Sequence, residues 1–195
     1  MNTKQVVKEI ISEIPVLPYE WEGYGVTTDI EVSSNITLKK SKSSYCSGAV
    51  FEFLYRLLKK YGKWDKLKES AREELYRYCY VRTDIDEKYF WGLPAGIEAL
   101  GLGEVVEPSS VGEDGFYFGQ LFDWEKGNSD PVLGHAVVCI KQWKNKSGKP
   151  AIWTFSADNI GLNQTGEDYW SIDHPRKTRE RQWCVAQLDT GWLEG

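Results

Sequence analysis

The sequence predicts an α+β fold in which N-terminal helices pack on a C-terminal antiparallel sheet. Apolar residues recur at helical spacing up to about residue 100, and strand-like segments dominate from about residue 115 onward. Helices first and strands later are typical of this class. The length of 195 residues is sufficient for a sizeable core. We therefore expect one domain over 1–195, with a helical extension at 1–18.

Four helices are predicted, and a proline or a glycine closes most of them. They are an amphipathic segment ending at Pro15, an apolar helix from Cys46 or Ser47 to Gly62, a helix over about 63–80, and a short helix in "LPAGIEALGLG". The segment between the first two is rich in Gly, Pro, Ser and Thr. It is predicted to be a long loop with one alternating stretch, "IEVSSNITL".

Four strands follow in the second half of the chain: "GFYFGQLFDW", "GHAVVCIKQW", "PAIWTFSAD" and "RQWCVAQLD". The middle two are joined by "KNKSGK", a polar turn with a glycine, which indicates a β-hairpin.

The composition argues against several classes of partner. A net charge of −5 without a basic stripe disfavours nucleic acid, and the cluster "HPRKTRERQW" is interpreted as a solvated face. No run of 18 apolar residues occurs, so no membrane span is expected. The cysteines form no C-x-x-C pair, so neither a metal nor another cofactor is expected. They are Cys46, Cys79, Cys139 and Cys184.

The stretch "SSYCSGAVFEFLYRLLKKYG" places Cys46 in the first turn of the apolar helix. Unpaired N–H groups and the helix dipole favour an anion there, so we expect a lowered pKa and a thiolate nucleophile. The alternative interpretation is that Cys46 is a small buried hydrophobic residue. A metal set of Cys46, Cys139 and His135 is a weaker alternative, since the last two lie about 13 Å apart along a strand.

The chain has two histidines, His135 and His174. His135 opens the strand "GHAVVCIKQW", where its imidazole could serve as the base for a cysteine nucleophile. Its alternative role is to cap the strand. His174, in "SIDHPRK", lies among charges before a proline and is expected to be exposed.

The hairpin register predicts a third member of this site. If the turn centres between Lys146 and Ser147, position 158 lies opposite position 135, and Asp158 would orient the imidazole. Ser156 and Asn159 in "FSADN" are the alternatives, and Asp158 could instead be an ordinary turn residue at the end of the strand.

Two motifs carry a resemblance to a known family. "YCSGAVFEFL", followed by "GHAVVCI", resembles the NlpC-like papain-fold cysteine peptidases, in which C-S-G opens a helix and G-H opens a strand. "YEWEG" resembles a Y-x-W-G-G segment that precedes the family's cysteine. The resemblance spans roughly residues 19–160 through short motifs. It implies a papain-like fold, with Cys46 as nucleophile, His135 as general base and Tyr19 lining the groove.

One departure concerns the substrate. The family usually has an aspartate just before the cysteine, where it holds a substrate amine, and this chain has Tyr45.

The oxyanion of the reaction would be held by the N–H of Cys46 or of Ser47. Gln120 is a weaker second donor.

The sequence therefore predicts a cysteine hydrolase that cleaves an amide bond, with a peptide or a fragment of bacterial cell-wall peptidoglycan as substrate. An acyltransferase or deamidase would use the same residues, and a catalytically inert binding module of the same fold is the alternative from another class. Such an enzyme would work in the cell envelope or outside the cell after loss of a leader, or in the cytoplasm on wall fragments. The N-terminal segment has no signal-peptide apolar region. The oligomeric state is not predicted.

Overall fold

A computed structural model describes residues 2–81, 87–128, 131, 133–159 and 163–195, and its fold is α+β as predicted. The helices are α1 (Thr3–Glu13), α2 (Cys46–Lys60), α3 (Glu69–Tyr80), α4 (Gly92–Ala99) and α5 (Thr190–Glu194). The strands are β1 (Ile30–Ser33), β2 (Ile36–Leu38), β3 (Gly103–Val106), β4 (Tyr117–Glu125), β5 (Leu133–Lys144), β6 (Pro150–Asp158), β7 (Gln164–Ser171) and β8 (Arg179–Leu188).

Six of the strands form one antiparallel sheet in the order β3-β8-β4-β5-β6-β7, and β1 and β2 form a separate hairpin. The sheet is strongly curved, because side chains of β8 contact the end of β7, four places away in the strand order. Arg181 Nη1 donates to the carbonyl of Ser171 at 3.0 Å, and Trp183 Nε1 donates to that of Ile172 at 3.1 Å.

The two faces of the sheet bury different sets of side chains, as expected for alternation along a strand. Ala136 and Val138 of β5 belong to the main core, together with the apolar residues of α2. Val137 and Cys139 belong to a second, smaller cluster that also receives Trp170 and Trp183. We call the first face the helix side and the second the concave side.

The structure corrects the predicted third helix. A 3-10 turn covers Trp64–Lys66, Leu67 is extended, and α3 begins only at Glu69. The sequence patterns also missed β3, β7 and α5, which are short or carry charged residues and glycine inside the strand. In the described part of the chain, no helix has both the length and the apolar character needed to cross a membrane.

Candidate active site

Cys46 is the first residue of α2, as predicted, and follows Tyr45 in extended conformation. The glycine two positions later explains how the helix start packs. A Cβ on Gly48 would lie 2.5 Å from the backbone of Gly25 and 2.6 Å from the carbonyl oxygen of Tyr24. Only glycine permits this contact, so the C-S-G motif places the cysteine directly against the loop that precedes β1.

The sulfur of Cys46 is buried, and burial raises the pKa of the thiol. Several donors act in the opposite direction: the backbone N–H of Ala136, the hydroxyl and backbone N–H of Ser47, and the N–H of Cys46 itself. The prediction of a lowered pKa is therefore wrong, because loss of water around the sulfur outweighs the field of the helix terminus. The resting side chain is a neutral thiol surrounded by N–H groups.

The thiol lies where β5 and β6 separate. The paired register of the two strands ends at Val138 and Phe155. Beyond that point the carbonyl of Ala136 accepts a hydrogen bond from Ser156 Oγ at 2.7 Å instead of a backbone N–H. In an antiparallel strand the N–H and C=O of one residue point to the same neighbour. The N–H of Ala136 therefore points into the gap between β5 and β6, where it meets the Cys46 sulfur.

The ladder of β5 and β6 agrees with the predicted register only at its last two pairs, and it ends before positions 135 and 158. Val138 pairs with Phe155 and Cys139 with Thr154, and continuing this register places position 158 opposite position 135. A register shift between Cys139 and Lys141 makes this possible, because the half of the hairpin nearer the turn is offset by one residue. His135 and Asp158 are both buried.

The imidazole of His135 lies on the concave side, because side chains alternate along β5 and Ala136 faces the helix side. His135 is 5% exposed. Burial, aided by the nearby Arg181, lowers its pKa to about 4, while the carboxylates of Asp158 and Asp123 act in the opposite direction. Its ring lies 4.9 Å from that of Trp170, and its Nε2 atom has no hydrogen-bond partner among the described residues.

Cys46 and His135 are thus neighbours because the thiol contacts the β5 backbone at Ala136, next to His135. Among the described residues, no hydrogen bond joins the two side chains. The thiol approaches Ala136 from the helix side, and the imidazole projects to the concave side. In the described part of the chain, the expected contact of about 3 to 4 Å between imidazole and sulfur is not among the hydrogen bonds. The structure brings these residues to neighbouring positions at the gap between β5 and β6.

Tyr19 connects the two halves of this cluster. Burial, together with the nearby Cys46 and Asp158, raises the pKa of Tyr19 to about 12, so the phenol is close to both. Its N–H donates to the carbonyl of Asn163 at 3.1 Å, and the N–H of Glu20 donates to Ser44 at 3.2 Å. The segment around Tyr19 therefore runs between the start of β7 and the start of α2.

The remaining predicted residues occupy different positions. Tyr45 Oη donates to the carbonyl of Gly23 at 3.1 Å, which fixes its ring in the loop. Ser156 is bound to Ala136, and Asn159 lies beyond the end of β6 and is exposed. Gln120 pairs directly with Ala136 in the sheet, so its side chain lies on the helix side.

An aromatic surface adjoins the thiol, and we call Tyr19, Trp21 and Tyr45 the aromatic platform. The ring of Trp21 stacks on that of Tyr45 at 4.8 Å with 15° between the planes, and it meets Tyr19 edge-on at 6.1 Å. Trp21 is 70% exposed. An indole held by the buried Tyr45 and the partly buried Tyr19, and itself largely open to water, is suited to stacking on a ligand.

Sequence reasoning missed a buried polar group beside His135. Asp123 and Arg181 form a bidentate ion pair at 2.6 and 2.7 Å, and their side chains are 2% and 5% exposed. Arg181 belongs to the basic cluster that was interpreted as a solvated face, which is wrong for this residue. His174 is also not exposed as predicted: its side chain is 7% exposed, and its Nε2 lies 3.5 Å from Asp123.

The metal-binding alternative receives no support from the geometry. Cys46 belongs to the helix-side core and Cys139 to the concave cluster. Within the residues that the structure describes, no group of three His, Cys, Asp or Glu side chains could hold a metal ion.

No protein-family model, no curated protein and no solved structure matches this chain.

Proposed function

We propose that this protein is a cysteine hydrolase with a papain-like arrangement, which cleaves an amide bond through Cys46 and His135. One observation carries the proposal. The Cys46 sulfur lies at the N-terminus of α2, in the gap between β5 and β6, with the N–H groups of Ala136, Ser47 and Cys46 around it. Such a set of backbone donors can stabilise the oxyanion that forms when a thiol attacks a carbonyl carbon.

The protonation states of Cys46 and His135 favour a general-base mechanism. The thiol and the imidazole are both neutral at pH 7, since burial raises the pKa of Cys46 and lowers that of His135 to about 4. His135 takes the thiol proton as the sulfur attacks, and then gives it to the leaving amine as the C–N bond breaks. Water, deprotonated by the same imidazole, attacks the thioester and releases the acid and the free thiol.

The imidazole must move toward the sulfur for this chemistry. Catalytic hydrogen bonds are often long or misaligned in ligand-free structures and form in the substrate complex. Asp158, whose carboxylate acts on the pKa of His135, is the residue we propose to orient the ring. Tyr19, close to Cys46 and Asp158, lines the same cluster.

The substrate class follows from the aromatic platform and from the resemblance to cell-wall peptidases. Trp21 offers an exposed ring, which stacks on sugar rings and apolar groups. Tyr45 replaces the aspartate that would select an ammonium group. We therefore propose a cell-wall peptide or a related peptide as substrate, whose N-terminal amine need not be free.

A paired digestion tests the proposal. Unmodified and N-acetylated wall peptides are incubated with the protein, with Cys46→Ala, and with Cys184→Ala as a matched cysteine control. We expect cleavage of both peptides, its loss in Cys46→Ala only, and a thioester adduct in mass spectra. Equal activity of Cys46→Ala would refute the nucleophile. A strict preference for the free amine that is lost on replacing Glu20 or Glu22 would show that another carboxylate binds the amine.

The two alternatives from the sequence give different results in this assay. An acyltransferase would form a new amide when an acceptor amine is added, in place of the free acid. An inert binding module would bind the peptides, and neither the unaltered protein nor Cys46→Ala would cleave them.

A further inference from the structure

The imidazole of His135 is the first layer of a three-layer stack. The ring of Trp170 lies 4.9 Å from the imidazole with 41° between the planes. The guanidinium of Arg181 lies over the indole, 4.9 Å from its centroid. We call His135, Trp170 and Arg181 the imidazole stack.

The guanidinium is held rigidly in place. Its Nε and Nη2 atoms donate to the two oxygens of Asp123 at 2.6 and 2.7 Å, and Nη1 donates to the carbonyl of Ser171 at 3.0 Å. A bidentate pair of this length fixes the plane of the guanidinium as well as its position. The nearby Nε2 of His174 lies 3.5 Å from Asp123.

The curvature of the sheet assembles this stack, together with Asp123, from four strands. Asp123 on β4 pairs directly with Arg181 on β8, and Leu121, two residues before Asp123, pairs with His135 on β5. These side chains therefore share the concave side. Trp170 joins them from β7, because the end of β7 meets β8 at Ser171.

We propose that Arg181, clamped by Asp123 and stacked on Trp170, is a positioning residue that seats the resting His135 imidazole against the indole and keeps it unprotonated until the ring turns toward Cys46. The cation disfavours a second positive charge nearby, and the indole covers one face of the ring. This inference rests on the proposed function, because a general base must be unprotonated before it takes the thiol proton.

The charges that act on His135 come from three strands, whereas β7 contacts the imidazole through the uncharged Trp170. Arg181 on β8 opposes protonation, as burial does, whereas Asp158 on β6 and Asp123 on β4 favour it. Asp123 is paired with Arg181 and lies near His174, so much of its charge is compensated. The influence of Arg181 on the pKa of His135 is larger than that of Asp123. Removing both partners should therefore still make protonation easier.

An NMR titration tests the proposal without any substrate. The chain has two histidines, so two imidazole signals are followed with pH, and His174→Gln assigns them. The His135 midpoint should lie near 4 in the unaltered protein. It should rise by about one pH unit in Arg181→Met, and by less in the double variant Asp123→Asn/Arg181→Met, which leaves no unpaired buried charge. Arg181→Lys should retain most of the low midpoint.

The orientation is tested through Trp170. Trp170→Leu should shift the His135 imidazole signals by removing the ring current of the indole, whereas Trp170→Phe should preserve most of that effect. Unchanged His135 midpoints in both Arg181→Met and the double variant, or an ordinary midpoint near about 6.5 in the unaltered protein, would overturn the proposal. So would unchanged His135 signals in Trp170→Leu. If the NMR results hold but no amide substrate is cleaved, the proposed function fails and the imidazole stack remains.

Discussion

At the residue scale, the reactivity of Cys46 depends on two opposing influences on its sulfur. Burial raises the pKa of the thiol, whereas the N–H groups of Ala136 and Ser47 stabilise its anion. Burial dominates, so the resting protein holds a neutral thiol. A thiolate and an imidazolium that pair before substrate binds would require the reverse order of pKa values, with His135 above Cys46, and His135 has a pKa of about 4.

Alkylation of Cys46 should therefore lack an acidic plateau. We expect its rate with iodoacetamide to rise about tenfold per pH unit from pH 6 to beyond pH 8, because only the thiolate reacts. Peptide mapping separates the four cysteines. We expect Cys46 to react before Cys79 and Cys139, in which burial raises the pKa without comparable donors. A rate that is independent of pH below about 6 would instead reveal a preformed ion pair.

Asp158 is the next residue whose role has a measurable consequence. Its carboxylate favours protonation of His135, so Asp158→Asn removes that stabilisation of the imidazolium formed during catalysis. We expect turnover to fall by roughly 10- to 1000-fold with the fold retained, measured as kcat with circular dichroism alongside. Asn159→Ala, at the exposed neighbouring position, is the matched control. Full activity of Asp158→Asn with loss of activity in Ser156→Ala would transfer the role to Ser156.

At the scale of elements, the start of α2 is fixed by two contacts with the preceding loop. Gly48 allows the helix to touch the backbone of Gly25, and the fully buried Glu52 accepts hydrogen bonds from the N–H and the hydroxyl of Thr27, both at 2.5 Å. Arg56 balances the charge of Glu52 from the next turn at 2.8 Å. The loop that carries the aromatic platform is thereby attached to the helix that carries the nucleophile.

Gly48→Ala tests whether the close packing at this position outweighs the gain in helix propensity. Alanine favours a helix by about 1 kcal/mol relative to glycine, but its Cβ would lie 2.5 Å from the backbone of Gly25. We expect a net loss of about 1 to 3 kcal/mol in the free energy of unfolding, because backbone must shift. Urea unfolding measures the loss, and Ser70→Ala in the exposed first turn of α3 is the control. A gain in stability would mean that the loop can move away at little cost.

The elements that sequence patterns could predict are those with a local signal. α2 is an apolar helix ended by Gly62, whose φ of 63° suits a helix C-terminus. The hairpin of β5 and β6 is marked by a polar turn, but counting residues gives its register only beyond the shift between Cys139 and Lys141. β7 has no such signal, because its alternation includes Gly166 and several charged residues, and it is recognised as a strand only through its pairing with β6.

At the scale of the whole molecule, the residues of the site also divide into those with a local signal in the sequence and those without one. Cys46, His135 and Asp158 could be proposed from sequence because each is fixed by a helix start or by one hairpin. Trp170 and Arg181 could not, since they reach His135 only when the sheet curves enough for β7 to meet β8. That curvature depends on packing across the whole sheet. It also places one residue of a basic cluster, Arg181, in a buried ion pair with Asp123.

The same burial links His135 to the stability of the whole chain. Its pKa is about 4 in the folded protein and about 6.5 in an unfolded chain. As the pH falls through 6.5 the unfolded state binds a proton and the folded state does not, so unfolding becomes more favourable. The stability is fully present above about 6.5 and is lost progressively as the pH falls toward 4. The difference in pKa corresponds to about 3 kcal/mol.

His135→Gln isolates this contribution, because glutamine does not titrate. We expect the free energy of unfolding of the unaltered protein to fall by about 3 kcal/mol more than that of His135→Gln between pH 7 and pH 4. Urea unfolding at several pH values measures both proteins, and groups other than His135 contribute equally to the two curves. Parallel curves would show that folding does not shift the pKa of this imidazole. Burial on the concave side would then not disfavour the charged form of His135, contrary to the lowered pKa.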